Sequence, residues 1–151
     1  MHNQKIRITK EFRFEMAHAL FCHAGLCKNI HGHSYTLSVT VIGKPVNDEN
    51  RSDNGMVMDF GDLKKIVNEQ IIDVFDHALV LHHSASEALQ KEIKANFEKF
   101  HLVDYHPTSE NLLIDYVNRI EDRLPESIKL HSLKLRETAT SLAEWYASDN
   151  K

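Results

Sequence analysis

The stretch from Cys27 to Val41 constrains the fold of this chain more than any other part of it. It begins Cys-Lys-Asn-Ile-His-Gly-His, and from Ser34 onward polar and apolar residues alternate. Alternation over about ten residues is typical of a strand that buries one face. Because residues two apart on a strand point to the same side, His31 and His33 lie on the apolar face together with Tyr35.

A third imidazole occupies a similar position near the start of the chain. Apolar residues at even positions from Ile6 to Met16 predict a first strand, or a bent pair of strands, and His18 continues that phase. Three imidazoles on apolar faces need a partner, and three neutral imidazoles leave one tetrahedral position open, as in catalytic zinc sites. We therefore predict that His18, His31 and His33 bind Zn²⁺. A fourth ligand from Cys27 would instead close the site into a structural one.

Cys27, Asp76 and His77 form a second candidate set. A thiolate beside a His–Asp pair can abstract a proton or act as a nucleophile. The sequence does not show whether the three residues meet. The alternative is that Cys27 is an inert buried thiol and that Asp76 and His77 only follow the end of a helix.

Glu137 is the third candidate feature, because it falls on the apolar face of a strand predicted near the end of the chain. A carboxylate there is costly unless a partner pairs with it, and it can only accept hydrogen bonds. It suits a ligand with two adjacent N–H donors, such as the edge of a pterin or a guanine. The basic neighbours Lys134 and Arg136 lie in the opposite phase of the strand, which disfavours a simple salt bridge.

The remaining patterns predict an α+β fold. A first helix starts after Asp59, a second follows the capping-box pattern at residues 84–87, and Thr108 or Ser109 caps a third, which ends before Pro125. Residues 128–137 and 142–146 predict two closing strands, the first with a bulge near His131. The predicted order is two strands, three helices and two strands, which implies an antiparallel sheet with helices on one face.

Composition sets wider limits on the function. A chain of 151 residues has the size of one domain, and its net charge of −4 gives no electrostatic basis for binding nucleic acid. No run approaches the roughly 20 apolar residues of a membrane helix, and the N-terminal residues lead into no apolar run of signal-peptide length. We therefore expect a cytoplasmic protein whose two cysteines are reduced.

These features together resemble the 6-pyruvoyltetrahydropterin synthase and 6-carboxytetrahydropterin synthase family. The matching stretches are residues 14–18, 27–33, 55–60, 76–77, 107–111 and 136–138, in the family's order. The resemblance implies a tunnelling fold, in which four-stranded antiparallel sheets from several subunits join into a barrel. It also implies a homohexamer built from two trimers, with active sites between subunits.

The resemblance also implies residue roles. The zinc ligands would be His18, His31 and His33. The proton-abstracting residue would be Cys27, with Asp76 and His77 as its relay partners. The pterin anchor would be Glu137, and Thr108 and Ser109, which helix capping also explains, would contact the substrate. That substrate would be 7,8-dihydroneopterin triphosphate.

Within the family, the spacing from Cys27 to His31 resembles that of the bacterial 6-carboxytetrahydropterin synthases of the queuosine pathway, which implies a carbon–carbon lyase. A 6-pyruvoyltetrahydropterin synthase, which eliminates triphosphate without breaking the side chain, is the alternative enzyme. A pterin-binding module with a structural zinc is the alternative without catalysis. The chain departs from the family in one respect, because the single domain over residues 1–151 contains an inserted helix around residues 84–100.

Overall fold

Six strands of this chain form one sheet. In a computed structural model that describes residues 3–151, their order across the sheet is β4-β3-β1-β2-β5-β6. The strands are β1 (Ile6–His18), β2 (His31–Gly43), β3 (Ala78–His82), β4 (Phe100–Val103), β5 (Lys129–Arg136) and β6 (Leu142–Tyr146). The α+β class is confirmed. The predicted four strands are wrong, because the sheet has six.

The helices lie between these strands. They are α1 (Phe60–Val67), α2 (Asp73–Phe75), α3 (Glu87–Asn96) and α4 (Ser109–Ile120), and a π-helical segment (Asn68–Ile72) joins α1 to α2. Short 3₁₀ turns span Leu26–Lys28, Glu121–Arg123 and Ala147–Asp149. Among the residues from 3 to 151, no helix is long and apolar enough to cross a bilayer.

The two unpredicted strands flank the helix α3. β3 runs parallel to β1, and β4 runs parallel to β3, so the sheet is mixed and not purely antiparallel as predicted. The predicted helix around residues 84–100 is α3, which Ser86 caps by accepting a hydrogen bond from the Leu89 N–H. β3 and β4 have only five and four residues, which is too few to show an alternation of polar and apolar residues.

The segment from β3 to β4 also places a helix on the second face of the sheet. Even-numbered residues of β3, such as Val80, join the main core with Phe14, whereas Leu81 packs in a separate cluster with Ile93 of α3. Successive strand residues point to opposite faces, so α3 covers the face opposite the main core. The prediction that all helices share one face is therefore wrong for α3.

The pairing of β1 with β2 brings the predicted histidines together. In the antiparallel register His18 lies opposite His31, and Met16 lies opposite His33. β5 pairs with the other edge of β2, and the register shifts where Thr40 and Val41 face Ser132 and Leu130. That shift leaves His131 as an extra residue, which confirms the predicted bulge.

The main core lies between one sheet face and the helices α1 and α4. Leu37 and Val39 of β2 and Leu112 of α4 are fully buried there. The other face of β1, β2, β5 and β6 is polar, and it includes the paired hydroxyls of Thr9 and Thr40, whose oxygens are 2.7 Å apart. The alternation that predicted β2 therefore separates a packed face from a polar one.

Candidate active site

Three imidazoles converge where β1 ends and β2 begins. The ligand nitrogens of His18, His31 and His33 all lie within 4.8 Å of one another, and Nε2 of His18 is 3.1 Å from Nε2 of His31. Two nitrogens bound at about 2.0–2.1 Å to one tetrahedral ion lie about 3.3 Å apart. The donor set and its spacing therefore fit Zn²⁺, and His18 is fully buried while the other two are half-buried.

Backbone carbonyls orient two of the three rings. His18 Nδ1 is 2.7 Å from the Pro107 carbonyl oxygen, and His31 Nδ1 is 2.7 Å from the Asn29 carbonyl oxygen. A carbonyl only accepts, so each Nδ1 carries the hydrogen and each Nε2 presents a lone pair to a metal. Burial lowers the pKa of His18 and outweighs the Pro107 hydrogen bond, which keeps this ring neutral. No pattern in the sequence indicated either carbonyl contact.

Glu137 reaches the same centre from the end of β5. Its Oε1 lies 3.1 Å from His33 Nε2 and 3.6 Å from His18 Nε2, and its side chain is 27% exposed. The structure thus brings the predicted carboxylate to the predicted metal site. From this position an acceptor oxygen faces both the imidazoles and solvent, so Glu137 can accept hydrogen bonds from a ligand that enters beside the metal.

Tyr35 forms the floor of the site and was not predicted to belong to it. Its ring stacks on Phe14 at 5.2 Å between centroids and meets the edge of His33 at 5.6 Å. Burial raises the pKa of Tyr35, and the negative charge of Glu137 raises it further, so the hydroxyl stays protonated. The available signal was its place in the odd phase, two residues after His33.

Cys27 lies near the metal site, but its predicted relay partners are anchored elsewhere. Its carbonyl accepts from the Leu20 N–H at 2.9 Å, just beyond the end of β1. The His77 N–H donates to the Glu15 carbonyl at 2.6 Å, and Glu15 is three strand residues before His18, a span of about 10 Å. Within residues 3–151 of one chain, no hydrogen bond joins Cys27 to Asp76 or His77.

Asp76 and His77 nonetheless form a tight pair. Asp76 Oδ1 accepts from the Glu15 N–H at 2.9 Å and lies 3.0 Å from His77 Nδ1. Burial acts to raise the pKa of Asp76, but these hydrogen bonds and the His77 charge outweigh it, and the pKa lies below its usual value. His77 has a φ of 62°, which is unusual for a residue other than glycine, and its side chain is 76% exposed.

Thr108 and Ser109 lie at the N-terminus of α4, next to the metal site. Thr108 Oγ1 caps the helix by accepting from the Asn111 N–H at 3.2 Å, which confirms the predicted cap. The preceding residue, Pro107, supplies the carbonyl that holds His18. Ser109 is buried, and its Oγ has no hydrogen-bond partner among the described residues.

Comparison with known proteins gives matches over nearly the whole chain. A protein named 6-carboxy-5,6,7,8-tetrahydropterin synthase from Haemophilus influenzae is 34% identical over 143 residues, which cover 92% of this chain and 97% of that protein. A protein of the same name from Rickettsia bellii is 33% identical over 141 residues, covering 92% and 99%.

Solved structures share the fold at lower identity. An uncharacterized protein from Wolinella succinogenes aligns with a TM-score of 0.73 at 19% identity and covers 96% of this chain and 99% of its own. The Caenorhabditis elegans 6-pyruvoyl tetrahydropterin synthase aligns with a TM-score of 0.66 at 22% identity, covering 97% and 99%. The family model described as 6-pyruvoyl tetrahydropterin synthase matches residues 7–148. With these matches and the three converging imidazoles, the chain belongs to the 6-pyruvoyl tetrahydropterin synthase family.

Proposed function

We propose that this protein is a zinc-dependent 6-carboxytetrahydropterin synthase. It would convert 7,8-dihydroneopterin triphosphate and one water molecule to 6-carboxy-5,6,7,8-tetrahydropterin, acetaldehyde and triphosphate, as a carbon–carbon lyase. The observation that carries the proposal is the full-length similarity to relatives with that name, at 34% and 33% identity. The four-residue spacing from Cys27 to His31 supports the same choice.

The three histidines would hold the metal beside the substrate side chain. A bound zinc ion would supply Lewis-acid polarisation of the side-chain oxygens. Two of the rings are already turned with Nε2 toward a common point, because Pro107 and Asn29 bind their Nδ1 atoms. This preset orientation supports a catalytic site with one position left for substrate.

Four other side chains would act on the bound substrate. Cys27 would move protons at the side-chain carbons as a thiolate, and Glu137 would accept hydrogen bonds from the pterin ring and so fix its position relative to the metal. Thr108 and Ser109 would line the pocket at the start of α4. We propose that Asp76 and His77 assist Cys27 from a neighbouring subunit, because they are anchored to Glu15 while Cys27 is anchored beyond His18.

The assembly and setting are part of the same proposal. We propose a homohexamer of two trimers, in which the sheets join into the barrel of the tunnelling fold and sites form between subunits. The outermost strands β4 and β6 each have one edge without a partner strand in the described chain, which supports such joining. We place the protein in the cytoplasm, in queuosine and 7-deazapurine synthesis, where its free thiols Cys22 and Cys27 stay reduced.

Product analysis tests the proposal directly. The zinc-loaded protein is incubated with 7,8-dihydroneopterin triphosphate, the pterin product is identified by mass spectrometry, and acetaldehyde is measured in the same reaction. We expect 6-carboxytetrahydropterin and an equal amount of acetaldehyde. A pyruvoyl product without acetaldehyde would identify a 6-pyruvoyltetrahydropterin synthase. Absence of any turnover, with pterin still bound, would identify a binding module.

A further inference from the structure

A second group of metal-binding side chains lies at the same end of the sheet. Cys22 belongs to the loop between β1 and β2, His82 ends β3, His83 follows it, and His106 lies between β4 and α4. The His82 ring contacts the other two imidazoles, with centroids 4.6 Å apart for His82 and His106 and 4.2 Å apart for His82 and His83. No role proposed above uses any of these side chains.

Two donors of this group already have the spacing of ligands to a shared ion. Cys22 Sγ lies 3.4 Å from His106 Nε2. A tetrahedral ion with a sulfur ligand at about 2.3 Å and a nitrogen ligand at about 2.0–2.1 Å holds those atoms about 3.5 Å apart. Cys22 is exposed, so an ion can reach its thiol from solvent.

The third donor is available in the adjacent His82–His83 pair. The Ser84 N–H donates to His82 Nδ1 at 3.1 Å, and Ser84 Oγ lies 2.7 Å from the same nitrogen, so His82 can bind a metal only after its ring hydrogen moves from Nε2. His83 is exposed and can rotate. By contrast with His18, His31 and His33, this group does not yet have three donors within 4.8 Å of one another, so a ring must turn when the ion binds.

The donor types of the group favour a metal cation over an anion. The acidic group that acts on His82 is Asp104, and the other charged neighbours that act on it are the imidazoles of His83 and His106. Histidine and thiolate together select borderline-soft ions such as Zn²⁺.

We propose that Cys22, His106 and one imidazole of the His82–His83 pair bind a second divalent transition-metal ion, distinct from the ion at His18, His31 and His33. This second site binds more weakly than the first, because only two of its donors are positioned in advance. It also adjoins the first site, since His106 precedes Pro107, whose carbonyl holds the His18 ring.

Cobalt titration of the metal-free protein tests this proposal. The full chain is stripped of metal, kept reduced and titrated with Co²⁺, while the sulfur-to-cobalt charge-transfer band is followed by absorption. We expect two equivalents per chain in wild type, with the sulfur band developing with the second. Cys22→Ser should lose the band and the second equivalent and keep the first. The double variant H82N/H83N should weaken the second equivalent by at least about 10-fold.

Two variants provide matched controls. Cys27→Ser should retain both equivalents and the band, because this thiol is not a ligand of the second site. His31→Ala should weaken the first equivalent and keep the sulfur band. Far-ultraviolet circular dichroism confirms folding of each variant, and serine at exposed Cys22 causes no packing loss. A single equivalent in wild type, or a band lost with Cys27→Ser and kept with Cys22→Ser, would overturn the proposal.

Discussion

The chemistry of the site depends on a few atoms whose orientation is set by contacts with other residues, most of them distant in sequence. Pro107 and Asn29 hold two imidazoles by their Nδ1 atoms, and Glu137 brings a carboxylate oxygen to 3.1 Å from His33 Nε2. Because each ring is held from behind, the nitrogens that face the common point need little reorganisation to bind an ion. The site therefore has the form of a preorganised metal centre with an acceptor oxygen beside it.

Removal of the Cys27 thiol tests its role as the proton-moving group. We expect Cys27→Ala to retain its zinc and its affinity for pterin and to lose about 10²–10⁴-fold in turnover, the usual contribution of general acid–base catalysis. Steady-state kinetics and elemental analysis measure the two effects. Leu26→Ala is the matched control, because this side chain is adjacent in the loop and 84% exposed. Unchanged turnover in Cys27→Ala would refute the assignment.

The lowered pKa of Asp76 predicts how the stability of the fold depends on pH. Its pKa in the folded protein is lowered from 3.8, so the ionised form stabilises the fold above about pH 4, and this contribution disappears as the pH falls through the lowered pKa. Asp76→Asn keeps an acceptor for the Glu15 N–H but loses the charge. We expect the variant to be less stable than wild type near pH 7 and the difference to shrink toward pH 3.

Urea denaturation of the two metal-free proteins across this pH range measures the difference in the free energy of unfolding. Removing the metal from both proteins separates the titration of Asp76 from acid-induced loss of the ion. A difference that stays constant with pH would show that the charge of Asp76 does not contribute.

At the scale of single elements, helix caps and strand pairing position the site. The antiparallel register of β1 and β2 places His18 opposite His31, and the parallel strands β3 and β4 carry the chain back to the same end of the sheet. The loop after β4 then delivers Pro107 to His18 and starts α4. The N-terminus of α4 is thus the element boundary that supports the metal site from behind.

Thr108 tests how much the cap of α4 contributes. Thr108→Ala removes the acceptor for the Asn111 N–H, and we expect a loss of about 0.5–2 kcal/mol in the free energy of unfolding. Thr108→Ser keeps a hydroxyl at the same place and should remain close to wild type. Urea denaturation midpoints, compared at equal m-values, measure the stability of both variants. If alanine and serine were equally stable, the hydroxyl would have no capping role.

At the scale of the whole molecule, a single chain has exposed apolar side chains and keeps two groups of predicted site residues apart. Leu142 of the edge strand β6 is 41% exposed, and Phe60 at the start of α1 is 50% exposed. In addition, the Asp76–His77 pair is anchored at Glu15 and makes no hydrogen bond to Cys27 within residues 3–151. Both observations agree with the proposed assembly, in which another copy covers apolar surface and completes the site.

Mixing two inactive variants tests whether sites form between subunits. Cys27→Ala and His77→Asn chains should each have little activity, and asparagine tolerates the positive φ of His77. Chains unfolded together, mixed equally and refolded should regain about a quarter of wild-type activity, because one random pairing in four unites an intact Cys27 with an intact His77.

Sedimentation analysis of the same samples measures the oligomeric state, which we expect to be hexameric for each variant and for the mixture. Variants refolded separately and then combined under conditions without exchange serve as the control. Mixed hexamers that remain inactive would show that Cys27 does not depend on the partner's Asp76 and His77.

Local patterns were sufficient where the chain has long periodic segments. The alternation in β1 and β2, the apolar stripes of α1 and α4 and the caps at Asp59 and Thr108 are all features of neighbouring residues. Local patterns do not reveal β3 and β4, because these strands are too short to show an alternation of polar and apolar residues. Their partner strands also lie far away in sequence, more than fifty residues away in β1 or across α3. The same limit explains why the face that α3 covers was predicted incorrectly.

The sequence by itself determined the chemical inventory: three imidazoles in phase on two strands, a thiol four residues before the second, and a carboxylate on a late apolar strand. The alternation of side chains between the two faces of a strand depends only on neighbouring residues, so the sequence shows it directly. Only the tertiary structure decided that the Pro107 carbonyl holds His18, that Phe14 stacks on Tyr35, and that His82 and His106 stack beside Cys22. Those contacts join segments distant in sequence, and their geometry depends on strand order and packing, which no local pattern encodes.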